Sequence, residues 1–394
     1  MSVDVAAVQE ALKAEGLDGW LLYDFRGSNP IAARLAGIGE GGGHLATRRW
    51  FYLVPSSGEP RGLVHAIERH NLDHLPGPKS IYAGRVQLES GLKELLIGMG
   101  RVAMEYSPGN AIPYVSRVDA GTIEMVRDAG VSVLSSGDLV QRFDGLWDAA
   151  GIASHRKASD KLYRVKDRAF ATIAEQLREG TPTTEFDIQQ LMVQWFAQEG
   201  LVAESAPNVS AQENAGNPHY LPTADQHRII RKDELVLLDL WGKGTAAHSV
   251  YADITWVGFT GTAVPERISR AFDTIARARD AAVSLVEEAA QAGRPIRGFE
   301  LDRVARQVIT QSGYEDAILH RTGHSLGEEV HGNGAHLDDY ETHDERRLMP
   351  GSIFTIEPGV YFADFGVRTE INVFWGPSGP EVTGPRQAGI IALV

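Results

Sequence analysis

The chain has 394 residues, more than one domain ordinarily holds, so two domains are expected, each with enough sequence to bury its own core. It contains no cysteine, which excludes disulfides, thiolate nucleophiles and cysteine-ligated zinc, so any metal must be held by oxygen and imidazole. A formal net charge of −14 argues against nucleic acid or an anionic membrane surface as partner, because both are held by clusters of Lys and Arg.

The start, MSVDVAAVQEALKAEGLDGW, has the pattern of an acidic amphipathic helix, without the basic region and apolar core of a secretory signal. No later run reaches membrane-spanning length, and a soluble, cytoplasmic protein is expected. Helical and strand-like runs then alternate to about residue 155: a first helix to Lys13, then GWLLYD, WFYLV, RVAMEY, a helix from Gly121 to Asp128, and VSVL. That alternation indicates an α/β domain. The Gly-rich GIGEGGGH around Gly39 to Gly43 follows no clear strand and has no Walker lysine after it, so it reads as a flexible loop rather than a phosphate cradle.

The charge-rich ASHRKASDKLYRVKDRAF resembles a linker entering a long helix, which places a boundary near residue 155. Beyond it, TPTTEFDIQQLMVQWFAQEG carries Ile188, Leu191, Met192, Trp195 and Phe196 on one helical face and ends at Gly200. Two further amphipathic helices are expected, in PERISRAFDTIARARDAAVSLVEEA and FELDRVARQVITQSG. Between and after them come strands, so the second domain is expected to be α+β.

Four of those strand-like runs carry a carboxylate where a core side chain is expected: LVLLDLW with Asp239, YADITWVGF with Asp253, FTIEPGVYF with Glu357 and VRTEINVF with Glu370. An ionised carboxylate is costly to bury unless a cation or hydrogen-bond donors compensate it. The first pair flanks the loop GKGTAAHSV and the second flanks ADFG, so two hairpins could aim all four at one point. Each carboxylate alone could pair with an arginine or cap a turn, but only Arg368 sits in comparable strand context. The histidine-rich HRTGHSLGEEVH, from His320 to His331, adds an imidazole nitrogen and little charge at neutral pH, so the expected counter-charge is metal. Four carboxylates carry about −4, which two divalent ions balance. HRTGH is no zincin motif: it lacks the glutamate, and Gly323 argues against a helix presenting both histidines.

The ordered set Asp239, Asp253, His324, Glu357 and Glu370, within LLDLW, YADITW, HRTGHSLGEEVH, TIEPGVY and VRTEI, resembles the pita-bread metallopeptidases: methionine aminopeptidase, aminopeptidase P and prolidase. The resemblance implies an α+β chain with a creatinase-like α/β N-terminal domain over residues 1–155 and a pita-bread catalytic domain over residues 156–394. It further implies a dinuclear centre in which Asp239 chelates one ion, Asp253 and Glu370 bridge, and His324 with Glu357 hold the other. Manganese is the first expectation, with cobalt, zinc and iron also compatible. His219 in GNPHY, His320 and His331 match histidines that bind substrate and stabilise the tetrahedral intermediate. Arg368 matches an arginine that could neutralise Asp239 or seat a substrate carboxylate, and Glu357 matches the proton shuttle to the leaving nitrogen. The implied activity is hydrolysis of Xaa-Pro dipeptides by a homodimer. Release of an N-terminal residue ahead of proline from longer peptides, as by aminopeptidase P, uses the same ligands and stays open. A metal-free creatinase-like hydrolase or a non-catalytic binding protein would be expected to lose ligands, whereas all five are present.

The chain departs from the family pattern around these ligands. The spacing from Asp239 to Asp253 is longer than is common, the tyrosine usual three positions before the second aspartate is Val250, and Tyr251 falls on the opposite strand face. Trp256 stands where an arginine is usual, and Ile371 and Asn372 follow Glu370 in place of an acidic residue. These changes fall around the ligands and leave the ligands themselves untouched.

Overall fold

The computed structural model describes residues 4–38 and 46–394; the glycines from Gly39 to Gly43 lie outside the described residues. The chain divides into two compact units, Met1–Asp144 and Gly145–Val394.

The first unit runs α1 (Val5–Ala14), β1 (Gly19–Asp24), α2 (Pro30–Leu35), β2 (Trp50–Pro55), β3 (Arg61–His65), β4 (Lys79–Tyr82) and α3 (Arg85–Leu95). It continues with β5 (Arg101–Met104), α4 (Ala120–Asp128), β6 (Ser132–Ser135) and α5 (Gly137–Asp144). Among the described residues its six strands form one mixed sheet in the order β4-β3-β2-β1-β5-β6. Alternation along β1 explains why GWLLYD is apolar throughout: Trp20 and Leu22 pack with residues of α1, α2 and α5, while Leu21 and Tyr23 pack with residues of α3 and α4. Both faces are covered by helices, as expected of an α/β unit.

The second unit begins with α6 (Ala149–Glu179) and α7 (Glu185–Glu199), followed by β7 (Leu201–Val202), β8 (Asn208–Ala211), β9 (Leu235–Gly244) and β10 (Ala252–Phe259). Two more helices, α8 (Glu266–Gln291) and α9 (Gly298–Gln311), precede β11 (Ile353–Ile356), β12 (Gly359–Tyr361), β13 (Gly366–Arg368), β14 (Ile371–Gly376), β15 (Gly379–Val382) and β16 (Ile391–Ala392). The run taken for a linker lies inside α6, and residue 155 falls within the first turns of that helix. Asp148 caps α6, and Ile152, Ala158, Leu162, Val165 and Ala169 are buried along it. The many charged residues between them conceal that stripe in the sequence. As expected, α7 ends at Gly200, which adopts φ 66°.

The antiparallel pair β9 and β10 has two faces of different character. Val236, Leu238, Leu240, Ala252, Ile254 and Trp256 pack with α6 and α7. Leu235, Leu237, Val257 and Phe259 pack with α8 and α9. Period-two alternation puts Asp239, Asp253 and Thr255 in line with this second, buried row. Among the described residues no helix is long and apolar enough to cross a membrane.

Candidate metal centre

In the β9–β10 ladder Thr255 stands opposite Asp239, and Asp253 lies two residues before it, so all three share one face. The second pair of carboxylates comes from a broken ladder. Ile356 pairs with Ile371 on one side of the break and Gly359 with Arg368 on the other. In the register those ladders share, Glu357 stands opposite Glu370 and Pro358 opposite Thr369. Pro358 has no N–H to return to Thr369, whose amide donates to the Pro358 carbonyl at 3.4 Å, and in the alternation of an antiparallel pair the amides of Glu357 and Glu370 point away from each other. The amide of Glu357 donates to the Thr322 carbonyl at 2.7 Å, and that of Glu370 to the Thr255 carbonyl at 3.2 Å. These two bonds tie the glutamates to the histidine segment and to the aspartate hairpin. Asn372 adds a staple, accepting from the Asp253 amide at 3.0 Å and donating to the Asp253 carbonyl at 2.8 Å.

Ligating atoms of Asp253, His324 and Glu370 lie within 4.8 Å of one another, and all three residues are buried. His324 Nε2 is 3.3 Å from Glu357 Oε1 and 3.7 Å from Asp253 Oδ2. Asp239 completes the group: Arg368 Nη2 contacts its Oδ2, and the Thr255 hydroxyl lies 3.1 Å from its Oδ1. Asp253, His324 and Glu370 thus form one cluster, with Glu357 against His324 and Asp239 joined to Glu370 through Thr255.

His320 sits behind them, its Nε2 2.7 Å from the Tyr361 hydroxyl, which also accepts from Arg368 Nη1 at 3.3 Å. His331 packs edge-on against His324 with ring centroids 4.4 Å apart and has an exposed side. His219 is exposed on the segment after Ala215, and its field reaches His320, helping to lower that ring's pKa. Arg368, expected either to neutralise Asp239 or to seat a substrate carboxylate, is buried and engaged with Asp239.

Electrostatics mark the cluster as built for cations. Burial, then repulsion among the carboxylates, pushes Asp253 and Glu370 well above the usual carboxylate range. Burial also pushes Glu357 up to about 7, against the opposing field of Arg368. The imidazoles supply no relief, since burial drives His320 down to about 3 and His324 well below its ordinary value. Asp253 Oδ1 and Glu370 Oε1 are buried with no hydrogen-bond partner. Two orphaned oxygens, further carboxylates and a neutral imidazole form a donor set that fits divalent metal and leaves it uncompensated otherwise.

Three supporting residues escaped the sequence reading. Thr255 touches Asp239, Glu370 and Arg368; Tyr361 joins His320 to Arg368; and Thr355 accepts from the His324 amide at 3.0 Å while its hydroxyl lies 3.3 Å from Glu357 Oε1. Thr255 was accessible in principle, because it is two residues from Asp253 and so on the same strand face. Of the altered positions, Tyr251 is buried beside Val250, Leu326 and Phe374, and Trp256 faces α6, with Lys166 Nζ 3.8 Å above its ring.

Carboxylates from two hairpins and a histidine from the segment between α9 and β11, with helices packed behind, give the arrangement of the pita-bread fold. Residues 156–375 match the model of metallopeptidase family M24, and the chain belongs to that family. It is 33% identical over 217 residues to the Xaa-Pro dipeptidase of Lactobacillus delbrueckii subsp. lactis, covering 55% of this chain and 53% of that protein. Against the Xaa-Pro dipeptidase of Lactobacillus helveticus it is 35% identical over 207 residues, covering 52% and 51%. These matches span about half the length of the curated relatives. The fold matches along the whole chain. The dipeptidase PepE structure from Mycobacterium ulcerans superposes with a TM-score of 0.67 at 21% identity, covering 99% of this chain and 96% of that one. An X-Pro aminopeptidase structure from Thermotoga maritima superposes at 0.59 and 18% identity, covering 100% of both.

Proposed function

We propose that this chain is a metal-dependent peptidase that hydrolyses the Xaa-Pro bond of dipeptides. The observation that carries this is the convergence of Asp253, His324 and Glu370 with two unpartnered buried oxygens, in a chain of family M24. Asp239, Asp253, His324, Glu357 and Glu370 would hold two divalent ions, manganese first among the candidates. When bound, such ions activate water and polarise a carbonyl at neutral pH. The side chains supply the rest. Glu357 is placed to carry a proton toward the leaving nitrogen, since its carboxyl adjoins His324 on one oxygen and faces Arg368 at 3.9 Å on the other. His219 and His331, both exposed residues, would meet the substrate carbonyl or carboxylate, and half-buried His320 is held in orientation by Tyr361. Arg368 pairs with Asp239 and holds it in place. An Xaa-Pro bond is a tertiary amide without N–H, so a site built from carboxylates and imidazoles does not need the hydrogen bond that the bond lacks. We assign the protein to the cytoplasm and to a homodimeric state as part of the same proposal.

The test is product analysis of manganese-loaded protein given equimolar Ala-Pro and Ala-Pro-Ala, with a chelated control. Cleavage of the dipeptide alone, abolished by chelation, is the expected result. Cleavage of the tripeptide moves the activity to that of an aminopeptidase P, and cleavage of neither by fully loaded protein overturns the peptidase assignment.

A further inference from the structure

We propose that Thr255 is a positioning residue of the metal centre, which sets the rotation of the Glu370 carboxylate and anchors Arg368 against Asp239. This deepens the metallopeptidase reading and rests on it. Thr255 is fully buried in β10, directly opposite Asp239 and two residues from Asp253 on the same face. Its hydroxyl accepts from Arg368 Nε at 2.9 Å and lies 2.8 Å from Glu370 Oε2 and 3.1 Å from Asp239 Oδ1. A hydroxyl carries one proton, so only one of the two carboxylates can receive it at a time, and the shorter contact assigns it to Glu370. That bond takes one lone pair of Oε2 and sets the plane of the carboxylate, leaving Oε1 without a partner and a second lone pair on Oε2, so both oxygens can still face ions.

The main chain of the same residue fixes the position as well as the rotation, because the Thr255 carbonyl accepts the Glu370 amide at 3.2 Å. On its other side, the hydroxyl holds Arg368 Nε while Nη2 of that guanidinium contacts Asp239 Oδ2. One hydroxyl therefore helps set the orientation of two expected ligands. Removing it deprives Glu370 of the donor on Oε2 and loosens the guanidinium that orders Asp239. Loss of such an outer partner typically weakens metal binding about 10–100-fold.

The experiment is calorimetric titration of manganese(II) into metal-stripped, full-length protein, comparing the parent with Thr255→Val and Thr255→Ser. Valine keeps the shape and removes the hydroxyl, so binding is expected to weaken about 10–100-fold, whereas serine keeps affinity within about threefold. Parent-like affinity in Thr255→Val, or equal weakening in both variants, overturns the role given to the hydroxyl. Should Thr255→Val fail to fold by circular dichroism, Thr255→Ala against Thr255→Ser makes the same comparison. A parent protein that binds no manganese overturns the metal reading and this inference with it, while a parent that binds and a valine variant that binds equally overturn the inference alone.

Discussion

His155 is completely buried on α6, and both its ring nitrogens are engaged, Nδ1 with the Tyr251 carbonyl at 2.7 Å and Nε2 with the Thr383 hydroxyl at 2.8 Å. A carbonyl can only accept, so the proton is on Nδ1 and Nε2 is free to accept from the threonine, a pattern that a neutral ring satisfies completely. Burial pushes the pKa from 6.5 down to about 4, with Arg156 adding to the shift and the Tyr251 carbonyl opposing it. The folded ring therefore resists a proton that the unfolded chain accepts. Its contribution to stability is complete above pH 6.5 and is lost as pH falls through that value toward 4. Between pH 6.5 and 5 the expected loss is about 2 kcal/mol. Urea unfolding of chelated parent and His155→Gln across that range checks it, because glutamine can donate to Tyr251 and accept from Thr383 without titrating. Identical acid slopes in the two proteins would rule the effect out.

The segment from His320 to His324 is held as an extended connector between strands. Gly323 bridges to Leu337, and a Cβ at Gly323 would lie 2.2 Å from the Thr355 carbonyl oxygen, closer than packing permits. Beside it, the Thr355 amide donates to the His324 carbonyl at 2.8 Å. Glycine is thus needed so that the segment can lie flush on β11 and aim His324 at Asp253 and Glu370. Gly323→Ala is expected to cost roughly 1–3 kcal/mol by overpacking. It should also abolish most of the stabilisation that manganese gives, since His324 must move with its backbone. Thermal unfolding with and without metal checks both parts, and an unaltered metal response would show that the close approach does not position His324. The sequence already spoke against a helix here through Gly323, and the carboxylate face of β9 and β10 followed from alternation. Two features were beyond its reach. The opposition of Glu357 and Glu370 depends on one register continuing across the break at Pro358, a long-range property. The start of α6 was hidden because the strongest local signal from Ala153 onward is charge, while its stripe of buried residues acquires meaning only from the strands it covers.

Among the described residues each of the two compact units has its own apolar clusters, two on the faces of the six-stranded sheet in Met1–Asp144 and three in Gly145–Val394. All five expected metal ligands belong to the second unit. Unfolding followed by calorimetry is accordingly expected to resolve two transitions, since a unit with its own core can melt cooperatively by itself. An ion that binds only the folded centre stabilises the unit containing it by mass action, by about 2.7 kcal/mol at a hundredfold excess over Kd. For a unit of this size that corresponds to a rise of about 5–10 °C in Tm. Manganese should therefore raise the transition of Gly145–Val394 and leave the other where it was. The ions act chiefly on local repulsion: without metal Asp253 and Glu370 are destabilised by burial and by neighbouring carboxylates, and the proposed divalent ions would remove that penalty where it arises. Added salt, which screens exposed charge across the whole chain of net charge −14, should not reproduce the selective shift. A manganese-dependent rise in both transitions, or an equal response to salt, would mean that the ions act on the molecule's overall charge rather than on one built site.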